Sequence, residues 1–157
     1  MVHALAYQNL RNKGMNHLVC RVAINEEELR RCFEIRRKIF VEEQRTFGES
    51  DIDEYDRLAI HIIATKDEEI VGTVRVYPEG DGIWYGGRLA VLHPHRGGQL
   101  GKQLIRKAVE IVKGMKAKRF YAYIQNRNVL YFKMLGWRSV REVRKYGLPH
   151  HLMEMPL

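Results

Sequence analysis

A chain of 157 residues, 45% hydrophobic and 29% charged, is long enough for one domain with its own core. No apolar run reaches the ~18–20 residues that cross a bilayer, and the first ten residues lack the basic start and apolar centre of a secretion signal. The net charge of +8 calls for an anionic partner. The basic residues are nevertheless spread along the chain, without a basic block, zinc-finger spacing or an aromatic-interleaved ribbon, so a small phosphate-rich ligand is expected rather than nucleic acid. Cys20 and Cys32 lack metal or C-x-x-C spacing and fit reduced thiols of a cytoplasmic protein.

Residues 1–16 are mixed and weakly patterned, an N-terminal extension to a single domain over 17–157. A first strand is predicted over 17–23. Asn25 with Glu28 three residues later forms a capping-box start, and the helix that follows to about Gln44 carries Leu29, Cys32, Phe33, Ile35, Ile39 and Phe40 on its apolar side. Residues 45–57 form an acidic, glycine-containing loop. Strands over 58–64 and 70–77 flank a Lys66-Asp67-Glu68-Glu69 turn as an antiparallel hairpin. A turn at 78–82 leads to a strand over 83–92, in which Gly86-Gly87 marks a bulge or a close backbone approach. From about Gly98 to Met115 the residues Leu100, Leu104, Ala108, Ile111 and Met115 recur at helical spacing. A strand over 119–125, a short helix over 128–135 ended by Gly136, and strands over 137–143 and 149–155 complete the chain. This order reads as α/β with a mixed sheet.

The strand-to-helix corner from Arg88 to Lys102 is the most informative segment. Glycines allow close backbone approach to a ligand, and a helix start adds unpaired N–H donors and about half a positive charge, together an anion cradle. A nucleotide P-loop is excluded: Arg96 stands where its first glycine belongs, and Gln103 replaces the metal-binding hydroxyl. Gly97, Gly98 and Gly101 are out of register for a dinucleotide fingerprint. The remaining pattern, Arg96 through Gly101, resembles the coenzyme A pyrophosphate loop of the GNAT superfamily of N-acyltransferases, with Gln99 where the middle glycine usually stands. The element order is also similar to that fold, a mixed, mostly antiparallel central sheet flanked by helices.

Three further segments support the resemblance. Phe132-Lys-Met-Leu-Gly136-Trp137, preceded by Asn126 and Asn128, is similar to the family's Tyr-x-x-x-Gly-Phe/Trp segment, whose tyrosine serves the departing thiolate; here the position is Phe132, and Tyr131 lies about 100° round the helix. Phe40-Val41-Glu42-Glu43-Gln44 and Gly147-Leu148-Pro149-His150 resemble the Phe-Val-x-Glu-Gln and Gly-x-Pro-His motifs of a bacterial branch. Arg36, Phe40, Asp53, Asp56 and Arg75 are also spaced as in acyl-homoserine lactone synthases, a diverged relative.

The resemblance implies an N-acyltransferase using acetyl-CoA, without a metal, to acylate a small primary amine by direct attack in a ternary complex. Leu89, Ala90 and Val91 are then expected to pair with the pantetheine amides, and Arg96, Gly97, Gly98, Gln99, Leu100, Gly101 and Lys102 to hold the pyrophosphate. Asn126, Asn128 and Phe132 would flank the thiol end. Phe40, Gln44, Asp53, Asp56, Arg75 and His150 are the candidate acceptor-binding residues, and Glu43, His61 and Tyr131 the candidate catalytic ones. Asp53, Asp56 and His150 are alternative bases, since an amine must lose a proton to attack. The acidic loop suggests a cationic acceptor. The partners expected are that small amine and, as an allowed state, a second copy in a homodimer, with neither nucleic acid nor a membrane. A non-catalytic acyl-CoA-binding module is the alternative that Phe132 and Gln99 motivate.

Overall fold

Seven strands form one sheet in the order β1-β2-β3-β4-β5-β7-β6. The computed structural model describes residues 17–157, and the expected extension over 1–16 lies outside the described residues. The strands are β1 Leu18–Val22, β2 Ile60–Lys66, β3 Glu69–Gly80, β4 Ile83–Val91, β5 Arg119–Gln125, β6 Arg138–Lys145 and β7 Leu148–Met155. Neighbours run antiparallel except β4 and β5, which are parallel because helix α2, Leu100–Gly114, carries the chain across between them. The β2–β3 and β6–β7 turns are two-residue loops, Asp67-Glu68 and Tyr146-Gly147. All four residues have positive φ, as the twist of a tight hairpin demands. Gly147 of the Gly-x-Pro-His motif therefore has a geometric reason, as does Pro149: β5 pairs with β7 only as far as His150, so the missing proline N–H costs no bond to β5.

Helix α1, Glu26–Arg36, has the expected N-cap, the Glu28 N–H donating to the Asn25 side chain at 2.8 Å, but the Glu28 carboxylate accepts from the Ile24 N–H at 2.9 Å rather than closing a capping box on Asn25. It ends earlier than its apolar spacing suggests. Residues Arg37–Glu43 continue as a single wide π-turn segment, after which the Thr46 N–H returns to the Phe40 carbonyl at 2.9 Å. Such segments re-aim side chains and often occur beside functional sites. Helix α2 buries Leu104, Ile105, Ala108 and Val112 against Val74, Val76, Trp84 and Phe120 in the main core. Met115, expected on that face, lies beyond the helix and is exposed; Val112 takes its place. Helix α3, Val129–Met134, closes the same side through Phe132 and Trp137. Helix α1 covers the opposite face, where Ile35 and Ile39 pack on Ala90.

The Gly86-Gly87 signal marks a true bulge. Arg75 pairs with Gly87 and Thr73 with Ala90, so Arg88 and Leu89 together oppose Val74. Arg88 sits at φ +54°, a left-handed conformation that costs a non-glycine residue about 1–2 kcal/mol. Its side chain is held from several directions: by the Asp51 carboxylate at 3.1 Å, the Asp53 carboxylate at 3.3 Å, the Tyr146 hydroxyl at 3.0 Å, and the Phe47 ring face beneath it.

Those contacts belong to a buried cluster of three arginines and three aspartates. Arg36 donates to Asp51 at 2.7 Å and to both Asp56 oxygens at 2.7 and 3.0 Å, while Arg75 donates to Asp53 at 2.6 and 2.7 Å and to Asp56 at 2.8 Å. Asp53 and Asp56 also cap each other across the short 3₁₀ turn Glu54–Arg57. Burial pushes the Asp56 carboxyl up, but the Arg36 hydrogen bonds and charge, with those of Arg75, outweigh it and hold the group well below the usual carboxylate range. Burial likewise pushes the His61 imidazole below its ordinary value, against the weaker pull of Asp56. Arg36→Met takes one of its two arginine partners from each of two buried carboxylates, Asp51 and Asp56, and is predicted to cost about 3–5 kcal/mol at pH 7 in urea denaturation. Depressed native pKa values mean the unfolded chain binds more protons, so native stability falls as pH drops below about 6.5 through His61 and further below about 4 through Asp56. The gap between parent and variant should narrow below pH 4. A loss under about 1 kcal/mol at pH 7 contradicts the assignment.

Candidate active site at the strand split

β4 and β5 stay together only from Ile83–Arg119 to Gly86–Ala122. Beyond that register residues 87–91 keep β3 on one side and have no strand on the other, leaving one edge of backbone N–H and C=O groups unpaired by β5. Gly86 sits where the strands part: a Cβ there would lie 3.0 Å from the Phe120 ring, so glycine permits the last close approach. The split opens a cavity of about 160 Å³. Leu89, Tyr123, Asn128 and Phe132 are among the residues that line it, with Phe40, Gln44, Phe47, Tyr146 and His150.

At the outer end of β4, the turn His93–His95 leads into the glycine corner. Gly97 adopts φ +82°, and Cβ atoms added at Gly97, Gly98 or Gly101 would meet nothing within 4 Å. Gln99 is the residue before α2 and offers no side-chain cap, so the first-turn N–H groups of Leu100, Gly101 and Lys102 have no capping partner. They border a hollow of about 320 Å³ lined by Val91, His95, Arg96, Gly97, Gly98, Gly101 and Tyr131. A helix N-terminus with open backbone donors and nearby cations is suited to an anion. The free edge of β4 runs directly into this corner, so a ligand with amides at one end and phosphates at the other finds donors along its length.

The expected residues divide clearly. None of the three catalytic candidates borders the split. Glu43 is ion-paired with Arg96, whose Nε also donates to the Val91 carbonyl at 2.8 Å, and this pairing lowers the Glu43 pKa. His61 is buried behind the ion cluster, its Nε2 3.0 Å from the Asp56 carbonyl and its ring against Phe33. Tyr131 is 41% exposed and faces the glycine corner. The acceptor candidates Asp53, Asp56 and Arg75 are bound to one another and to Arg36 or Arg88. Arg36, Asp53, Asp56 and Arg75, the residues shared with the lactone synthases, thus meet as a structural cluster; Phe40 alone of that set lines the cavity.

His150 is the titratable group that the structure brings to the split. It is 4% exposed, pairs with Gln125 across β5–β7 and lines the cavity. Its Nδ1 lies 2.9 Å from the Leu148 carbonyl, which can only accept, so Nδ1 carries a proton and the neutral tautomer is the one with its lone pair on Nε2. Phe47, Tyr146 and Arg88 complete this wall and were not singled out by spacing; each is brought in by the hairpin turn, the loop after the π segment, or the bulge. Among the described residues no group of three His, Cys, Asp or Glu side chains could hold a metal ion, and no helix is long and apolar enough to cross a membrane.

Comparison with known proteins agrees with this geometry. Residues 21–137 match the model of the acetyltransferase (GNAT) family. The chain is 31% identical over 131 residues to the uncharacterized N-acetyltransferase YjcF of Bacillus subtilis, covering 82% of this chain and 93% of that protein. In fold it is similar to an acyl-CoA N-acyltransferase from Pseudomonas aeruginosa, with a TM-score of 0.75 and 21% identity over 89% of this chain and 99% of the other. It is also similar to Arabidopsis thaliana Naa50 in complex with the bisubstrate analogue CoA-Ac-MVNAL, with a TM-score of 0.70 and 16% identity over 89% and 99% of the two chains. The open β4 edge and the uncapped glycine corner suit an acyl-CoA co-substrate. The chain belongs to the acetyltransferase (GNAT) family and is an acyl-CoA-dependent N-acetyltransferase.

Proposed function

We propose that the protein transfers an acetyl group from acetyl-CoA to the primary amine of a small molecule, by direct attack while both substrates are bound, in a bacterial cytoplasm. The observation that carries this reading is the bulged, unpaired run of β4 opening on a cavity whose titratable wall is His150. In this reading Leu89, Ala90 and Val91 pair with the pantetheine amides, and Arg96 to Lys102 receive the pyrophosphate on backbone N–H groups and the Arg96 guanidinium. Asn126, Asn128 and Phe132 flank the thiol end. Arg96 must then exchange its Glu43 partner for phosphate, which makes Glu43 a placeholder on the loop rather than the base.

The bound thioester supplies an activated acyl carbon and a thiolate leaving group. His150 Nε2 takes the proton of the attacking amine as the C–N bond forms and the C–S bond breaks. A bulge N–H near Arg88 and Leu89 donates to the carbonyl oxygen where negative charge develops; the ion cluster fixes that donor in advance, so no reorganisation is needed during reaction. Phe132 has no proton to give. A thiolate with an ordinary pKa of about 8.5 is a tolerable leaving group and takes its proton from water. Neither free cysteine lines the cavity, in keeping with direct transfer without an acyl-enzyme.

Two variants test the halves separately. His150→Gln keeps an Nε2-like position without a base, and kcat for thiol release from acetyl-CoA with an acceptor amine should fall about 100-fold or more; an unchanged kcat removes His150 from the chemistry. Gly101→Leu meets open space in the protein and improves helix propensity, so Tm should hold or rise while the thermal shift given by acetyl-CoA is lost. An unchanged shift removes the glycine corner from cofactor binding.

A further inference from the structure

The acidic loop does not make the pocket acidic. Asp51, Asp53 and Asp56 are matched by Arg36, Arg75 and Arg88, three negative charges against three positive. No aspartate or glutamate is among the residues that line the split cavity. Of the cations in or beside its wall, Lys145 standing next to the lining residues rather than among them, Arg88 is spent on Asp51 and Asp53. Lys145 and Arg127 are not: among the described residues neither forms an ion pair with a carboxylate. Arg127 lines the cavity. The Lys145 ammonium rests 4.1 Å from the Tyr123 ring centroid and 5.7 Å from that of Tyr146, and both rings line the cavity. It is carried by the same tight hairpin as His150, with Lys145 paired to Leu148 and Val143 to His150. One side of the wall is aromatic: Phe40, Phe47 and Tyr146 follow one another at 6.5 and 4.7 Å between ring centroids.

A polyamine or aminoglycoside would enter this wall with several positive charges and find cations, neutral polar groups and rings but no carboxylate. A molecule whose amine is joined to a carboxylate and an apolar body matches all three parts. Its amine reaches His150, its carboxylate reaches out to Lys145 on the same hairpin, and its body packs against the contacting rings of Phe47 and Tyr146. The uncompensated cations also favour the neutral form of the amine, which is the form that attacks. Resting on the acetyl-transfer reading of this cavity, we infer that the acceptor is an α-amino acid with an aromatic or large apolar side chain, and that Lys145 is the residue that selects for its carboxylate.

The test compares L-phenylalanine, phenethylamine, which lacks only the carboxylate, and spermidine, by thiol release from saturating acetyl-CoA at pH 9. Phenylalanine should exceed phenethylamine at least tenfold in kcat/KM, and spermidine should be the poorest. Lys145→Met should shrink the phenylalanine-to-phenethylamine ratio about tenfold, mainly through KM for phenylalanine, and Lys145→Arg should restore it. Phenethylamine or spermidine turned over as well as phenylalanine, a ratio untouched by Lys145→Met, or no turnover of any of the three beside a normal acetyl-CoA thermal shift overturns the amino-acid inference and leaves acetyl-CoA binding standing. Absence of the acetyl-CoA thermal shift itself overturns the underlying reading as well.

Discussion

Three arginines and three aspartates hold one backbone residue, Arg88, in a conformation it would not choose alone, and the site depends on that constraint. The bulge sends β4 away from β5, and the separation produces both the cavity and the unpaired strand edge. Each member of the cluster satisfies the others: Asp51 joins α1 to the bulge through Arg36 and Arg88, Asp53 joins the bulge to β3 through Arg88 and Arg75, and Asp56 joins β3 back to α1. Buried ion pairs of this kind add little net stability compared with a well-packed apolar cluster, but removing one partner is expensive. Their value here is geometric, because they fix the position of a polar backbone edge before a ligand arrives.

The cluster also explains how one pocket can sit beside a strongly acidic loop and still be positive. With its aspartates consumed and its glutamates, Glu49 and Glu54, exposed and absent from the cavity lining, the loop gives the pocket shape rather than negative charge. The π segment at Arg37–Glu43 contributes shape too, since it directs Phe40 and Gln44 into the cavity and leaves Glu43 outside against Arg96. The two ends of the site are therefore linked through short contacts: the bulge through Arg88 to Phe47 and Tyr146, and the glycine corner through Arg96 to Glu43.

Much of the fold was legible because local rules and the global architecture agree. Asn25 announced the start of α1, Gly86-Gly87 the bulge, and the Leu100–Leu104–Ala108 spacing the main buried helix face. The glycine corner was legible because register alone excluded the nucleotide loops. The acceptor side was not, and the reason is distance along the chain. Arg36 meets Asp51 fifteen residues away and Arg88 meets the same group thirty-seven residues away, so no spacing pattern shows that the loop's aspartates are neutralised. The π segment leaves no period of its own in seven residues, which is why α1 read as a longer helix. His150 was one of several candidate bases and acceptor-side residues that the motif could not rank; its orientation into the cavity follows from the Tyr146-Gly147 turn, which sets which face of β7 meets the split.

The central claim is that the bulged edge of β4 is where the acyl donor lies. Amide hydrogen exchange with and without acetyl-CoA tests it most directly, because residues 87–91 lack a strand partner toward β5 while β2 and the paired part of β3 have neighbours on both sides. The account predicts new protection within 87–91 together with 97–102 on addition of acetyl-CoA, and little change in β1 and β2. Protection confined to other elements, with 87–91 exchanging as in the free protein, would contradict it.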